Sequence, residues 1–429
     1  MTDTNASSGD ALYALVAELY PICRSITGAG VRETLDRLSA VVPLERVEVP
    51  SGTKVLDWTV PLEWNIRDAF IRAPSGERVV DFKRSNLHVV NYSVPIRRSM
   101  TLTELRPHLH TVPEQPEVIP YRTSYYQETW GFCLSHAQLQ TLADVEYDVC
   151  IDSTLEPGSL TYGEFVVPGR SSDEVLISTH VCHPSLCDDN LSGLSISVHL
   201  ARELTRGPQL RYTYRFLFAP GTIGAIAWLA RNRERASRIS HGLTLTCLGD
   251  AHPFTYKRTL SGRAPVDRAV AHVLAHSGFE HQSIDFFPYG YDERQYNSPG
   301  FRLPVGSLMR GRHGQFPEYH TSGDNLDFVT AERLGESYSV LRDVIRLLEA
   351  DRIYRNLEPW GEPQLGSRGL YRAMGGSDIP NLQLAMLWML NLSDGEHGLL
   401  DIAERSGIDF RALARAAEML LDHGLLAPV

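Results

Sequence analysis

Two histidines, two cysteines and two aspartates fall within ten residues in the segment His180-Val-Cys182-His183-Pro-Ser-Leu-Cys187-Asp188-Asp189. Imidazole, thiolate and carboxylate are the side chains that bind transition metals, and a mixed nitrogen and oxygen set suits a metal centre. A blander reading exists for part of the stretch. Asp188-Asp189-Asn190-Leu-Ser192-Gly193 also has the composition of a turn and a helix N-cap. One histidine here would be read as structural, whereas two beside an aspartate pair point to a metal. A structural zinc finger is not expected, because Cys182 and Cys187 have no second Cys/His pair at finger spacing downstream.

The flanking residues show what must position this loop. The apolar run starting at Val175 reads as a buried parallel strand, and Leu194–Leu204 reads as a helix with Ser192 as its cap. The order is strand, ligand-rich loop, helix. In open α/β sheets sites form beyond the carboxyl ends of strands, where this loop lies. Tyr212–Phe218 and Gly242–Asp250 read as further strands, the second ending in a carboxylate, with helices at 225–234, 266–276 and 331–351. This alternation predicts an α/β fold, a mostly parallel sheet flanked by helices. Residues 285–328 hold a second store of functional side chains, among them Glu293, Arg294, Arg310, Arg312, Glu318, Tyr319 and His320.

The chain has 429 residues and a formal net charge of −11, which argues against non-specific binding to nucleic acid or anionic membrane. No apolar run approaches the length of a bilayer span, and the polar residues 1–10 lack the apolar core of a signal peptide. Six scattered cysteines fit a reducing compartment, so a cytoplasmic location is expected. Four regions are expected. Residues 1–57 begin the main domain, 58–129 form a small β-rich inserted domain of short runs broken by proline and glycine, and 130–360 complete the main domain. Within the last of these, Tyr147–Asp152 and Leu160–Val167 are expected to lead back into the main sheet. His108 and His110 in the insertion read as exposed loop histidines. Residues 361–429 have the rhythm of a winged-helix module. Its second helix carries Arg411 and Arg415 but also Glu418 and Asp422, a poor face for reading a groove, so packing or homo-oligomerisation is the expected role.

Taken in order, these strand ends resemble the zinc aminopeptidase-like family, the co-catalytic zinc exopeptidase fold. The likeness is greatest to a bacterial subgroup with a β-rich insertion and a C-terminal winged helix, and it covers nearly the whole chain. The resemblance implies metal ligands at His180, Asp189, Asp250 and His320, with Asp189 in the place of a bridging carboxylate. Three departures matter. Cys182 stands where relatives often carry an Asp that orients the first histidine. Relatives have a Glu-Glu pair after the strand equivalent to 212–218, where this chain has Ala219-Pro220-Gly221-Thr222. The nearer subgroup keeps one Glu at the position of Gly221, and it is absent here. One zinc ion per chain is therefore expected rather than two. A missing general base removes a contribution of roughly two to four powers of ten in rate. Glu318, Asp188 and Glu293 are the candidate replacements, each with a plainer reading as an orienting group, an N-cap and an ion-pair partner respectively. Arg294, Arg310 and Tyr319 are the candidate substrate-binding residues, with a weak preference for an anionic substrate. The function implied is zinc-dependent hydrolysis of a small peptide or amino-acyl amide. The alternative is a degenerate or redirected relative that binds, assembles or transfers without hydrolysing.

Overall fold

The seven residues of Glu174–His180 are all buried, as a strand covered on both faces must be. In the computed structural model, which describes residues 3–370 and 379–429, this strand lies between Thr213–Ala219 and Ile239–Leu245. Both pairings are parallel, and His180 stands opposite Ala219. Across the full eight-stranded sheet the order is Glu45–Pro50, Ser159–Val167, Thr213–Ala219, Glu174–His180, Ile239–Leu245, Val305–Met309, Phe254–Lys257 and His281–Ile284. Four central strands are parallel, so their carboxyl ends collect on one edge. Gly193–Arg206 and Ile223–Arg231 supply covering helices, and the core beneath the latter includes Trp228, Phe301 and Tyr296.

The β-rich insertion is a four-stranded antiparallel sheet ordered Arg78–Asp81, Glu63–Arg72, Glu146–Glu156, Ile96–Thr101. Here the structure differs from the sequence expectation. Glu146–Glu156, placed in the main sheet by its sequence pattern, is a central strand of the insertion, and only Ser159–Val167 returns to the main sheet. An alternating apolar run states that a strand is half-buried but not which sheet buries it. The insertion matters to the site through its connector. Tyr121 N donates to His320 O at 2.7 Å, and Ile119 exchanges hydrogen bonds with Ser322.

A second unit comprises residues 263–281 and 340–429. Ile353–Asn356, Asp394–Gly398 and Leu426–Pro428 form its three-stranded sheet, and Ile379–Leu392, Leu399–Ser406 and Phe410–Asp422 are its helices. The module therefore starts before residue 361. Gly407, with φ of +69°, makes the turn between the last two helices, and the Asp409 side chain caps the second. The start of that second helix is covered from within the unit: Phe410 N donates to His272 Nε2 on the helix Pro265–His276. Arg411 is tied to Asp409, and Arg268 to Asp401 and Glu404. Among the described residues, no helix is long and apolar enough to cross a membrane.

Candidate metal centre and its cavity

The loop after His180 is held from below by one carboxylate. Asp324 is fully buried and accepts the backbone N–H groups of Cys187, Asp188 and Asp189 at 3.0, 2.6 and 2.9 Å. Asn190 fixes the next turn, donating through Nδ2 to Leu245 O and His180 Nδ1 and accepting from Gly193 N. Gly193 must lack a side chain: a Cβ there would lie 2.6 Å from Leu245 O. With its Nδ1 turned to Asn190, the Nε2 of His180 points at Asp189.

Asp189 is the centre of the cluster. Its Oδ1 is 2.6 Å from His180 Nε2, and its Oδ2 is 3.0 Å from His320 Nε2 and 3.8 Å from His183 Nε2. Donor atoms of His180, His183 and Asp189 all lie within 4.8 Å of one another. Burial disfavours the Asp189 carboxylate, but His183, His180 and His320 outweigh it and hold its pKa well below the usual range. Burial pushes the His183 imidazole well below its ordinary pKa, so it presents a neutral nitrogen. Its Nε2, 3.8 Å from Asp189, is too far for a hydrogen bond yet aimed into the cluster. Two buried imidazoles and an anionic carboxylate converging in this way could hold a metal ion. The donors fit the metal that the sequence resemblance implies.

The other expected site residues are dispersed. Asp250 does not join the cluster. Its strand stops at Leu245, Cys247 turns the chain with φ of +49°, and the carboxylate of Asp250 accepts from His252 N and Gly311 N at 2.6 and 2.9 Å. Asp188 is fully buried beside it, accepting Gly249 N at 2.7 Å. Burial, and then the facing Asp250, push the Asp188 carboxyl well above its usual range, and the group lies beneath the site rather than facing a substrate. Glu293 is buried, ion-paired to Lys257 and bonded to Tyr291 N. Arg310 is likewise internal, held by Ser337, His252 O and Glu336 and stacked 4.0 Å from Phe254. Glu318 is half-buried, with no hydrogen bond or ion pair at its carboxylate among the described residues. Tyr319 stacks on His320 with centroids 4.0 Å apart and fixes that ring's plane.

In front of the histidines lies a cavity of about 270 Å³, into which Arg294, His183, His320 and a set of tyrosines project. Sequence reasoning gave no role to the most telling of these. Tyr291 stacks on His180 at 3.7 Å and 26°, and its hydroxyl is 3.1 Å from Cys182 Sγ. It also fills the room above Gly221, where a Cβ would lie 1.9 Å from Tyr291 Cε1. The place of the missing glutamate is thus occupied by a phenol. His183 was visible in the sequence as the second histidine of the loop, but the family pattern drew attention to Asp250 instead.

Comparison with known proteins agrees with this architecture. A family described as "Domain of unknown function (DUF4910)" matches residues 13–351, and one described as "winged helix-turn-helix" matches residues 352–428. A Clostridium acetobutylicum protein called "Putative polysaccharide biosynthesis protein with aminopeptidase-like domain" is 52% identical over 417 residues, covering 97% of this chain and 96% of that protein. A crystal structure from the same organism superposes with a TM-score of 0.95 at 50% identity, covering 99% and 98% of the two chains. A zinc aminopeptidase from Bacillus subtilis shares the fold, with a TM-score of 0.56 at 12% identity over 79% of this chain and 94% of that one.

Proposed function

We propose, for a chain that belongs to the family described as Domain of unknown function (DUF4910), that it is a single-zinc amide hydrolase of the aminopeptidase-like fold. One observation carries the reading: the buried convergence of His180, His183 and Asp189 at the carboxyl edge of the sheet, open on one side to an aromatic cavity. These three residues would hold the ion. When bound, zinc polarises a carbonyl oxygen and lowers the pKa of a coordinated water. The remaining work falls to the protein. His320, whose side chain is 34% exposed and whose Nε2 meets Asp189, is the imidazole placed to take a proton from the attacking water and return it to the leaving nitrogen. Tyr319 keeps the His320 ring in plane for that transfer. Tyr291 closes the space at Gly221 and shields the buried face of His180 from water.

The net reaction adds the elements of water across an amide C–N bond, giving a carboxylic acid and an amine. The name of the Clostridium relative supports an amide on a sugar or sugar-linked amino acid as the setting, alongside the small amino-acyl class. Six cysteines without a disulfide support a reducing, cytoplasmic location. For the C-terminal unit we favour packing or self-association over DNA reading. In winged-helix and related proteins the start of the second helix reaches the bases, and here His272 holds it.

The test is a mass-spectrometric screen of N-acyl amino acids and N-acyl amino sugars with zinc-loaded protein, beside Asp189→Asn. Release of acid and amine by the native protein alone is expected. Zinc bound stoichiometrically with no turnover of any amide would move the protein to the binding or transfer reading, which the exchange of a carboxylate for Tyr291 favours.

A further inference from the structure

We propose, resting on the reading of the cluster as an amide site, that the substrate is an anion: an N-acyl compound whose carboxylate or phosphate is bound by Arg294, with a ring lying against Trp58 and Tyr126. The inference comes from the cavity's charge. No aspartate or glutamate is among its described lining residues, and Arg294 is its one permanent charge. An exopeptidase that removes N-terminal residues has to hold a free ammonium group, and a carboxylate is the group that does so. This cavity offers none. The acids next to Arg294 in sequence do not supply one: Glu293 is fully buried and paired with Lys257, and Asp292, which feels the Arg294 charge without pairing with it, is 2% exposed and pushed by burial towards its neutral form.

Arg294 itself is half-buried and makes no hydrogen bond or ion pair among the described residues. That is unlike its counterparts elsewhere in the chain. Arg215 is held by Glu164 and Glu174, Arg310 by Glu336, and Arg78 by Asp68 and Asp81. In a protein with a net charge of −11, a guanidinium with no hydrogen bond or ion pair in a cavity wall is positioned for an oxyanion that arrives with the ligand. Trp58 and Tyr126 complete the picture. They are 39% and 51% exposed and stand edge to face at 5.5 Å, offering flat apolar faces for a ring.

Titration calorimetry on zinc-loaded and zinc-free protein tests this with four probes: N-acetyl-L-phenylalanine, UDP-N-acetylglucosamine, the uncharged N-acetyl-L-phenylalaninamide and the cationic L-phenylalaninamide. One anion is expected to bind about tenfold or more tightly than both the uncharged and the cationic probes, the usual scale for a charged hydrogen-bonded pair. Preference for N-acetyl-L-phenylalanine assigns the oxyanion as carboxylate, and preference for the nucleotide sugar assigns it as phosphate. Arg294→Gln should abolish the preference with zinc content unchanged, and Arg294→Lys should keep part of it. Tightest binding of L-phenylalaninamide, an unaltered preference in Arg294→Gln, or binding of neither anion would overturn the proposal. Anion preference in a protein that takes up no zinc would leave the anion site standing and remove the hydrolase reading instead.

Discussion

Replacing Gly221 by alanine places one methyl group where the Tyr291 ring already is. The new Cβ would lie 1.9 Å from Cε1, 2.4 Å from Cζ and 2.5 Å from the hydroxyl. Carbon atoms settle about 3.5–4.0 Å apart, so the ring must retreat by roughly 2 Å. It has little freedom to do so, being stacked on His180, hydrogen-bonded to Cys182 and tethered by its backbone N–H to Glu293. Overpacking of this kind costs about 1–3 kcal/mol, and that loss is expected for the zinc-free protein in urea unfolding of the larger unit. In a Tyr291→Ala background the obstruction is gone, so the same glycine substitution should fall within about 0.5 kcal/mol of neutral. The two substitutions should therefore couple by about 1 kcal/mol or more. Equal, small effects of Gly221→Ala in both backgrounds would refute the packing argument. One consequence concerns catalysis. Gly221→Glu alone evicts Tyr291 rather than restoring a strand-end carboxylate, so a test of the absent glutamate needs Tyr291 removed as well.

Two further outcomes follow from buried titrating groups. Burial pushes the Cys23, Cys133 and Cys182 thiols each up to about 12, and those of Cys150, Cys187 and Cys247 also upward. At about pH 8 Ellman's reagent should therefore label none of the six quickly in the folded protein and all six once it is unfolded, and one fast native thiol would contradict this. In the second unit, burial and then the neighbouring His276 push His272 down to about 4 while its Nε2 accepts from Phe410. A depressed folded-state pKa means the contribution is complete above about pH 6.5 and lost as pH falls towards 4, with one proton limiting the slope to about 1.4 kcal/mol per pH unit. His272→Gln should flatten the acid limb of that unit's thermal stability, and an unchanged limb would show that His272 does not control it.

The parallel sheet and the strand that carries the candidate ligands were legible because both rest on local pattern. An unbroken apolar run bounded by polar residues is the pattern of a buried strand, and Glu174–His180 is that strand. What could not be read depends on partners distant in sequence. Glu146–Glu156 has a strand's alternation, but its pairing with Glu63–Arg72 and Ile96–Thr101 is written nowhere in its own residues. Asp250 looked like a strand-end carboxylate, yet its strand ends at Leu245 and its carboxylate is taken up by His252 N and Gly311 N. Arg294 and Arg310 look alike in sequence. Only the fold shows that Glu336 pairs with Arg310 and that Arg294, which acts on the buried Asp292 through its charge alone, has no hydrogen bond or ion pair among the described residues. Tyr291 stood in a stretch rich in functional side chains but had no role there, because its meaning comes from Gly221, seventy residues earlier.

The central claim is that His180, His183 and Asp189 form one metal centre from which Asp250 is excluded. Plasma mass spectrometry of protein purified without chelator tests it, on the native chain beside His183→Ala, Asp189→Ala and Asp250→Asn, each checked for folding by circular dichroism. About one zinc per native chain, near-complete loss in His183→Ala and Asp189→Ala, and retention in folded Asp250→Asn are expected. A native protein that takes up no zinc even on reconstitution, or one that keeps it in His183→Ala and loses it in folded Asp250→Asn, would contradict the account.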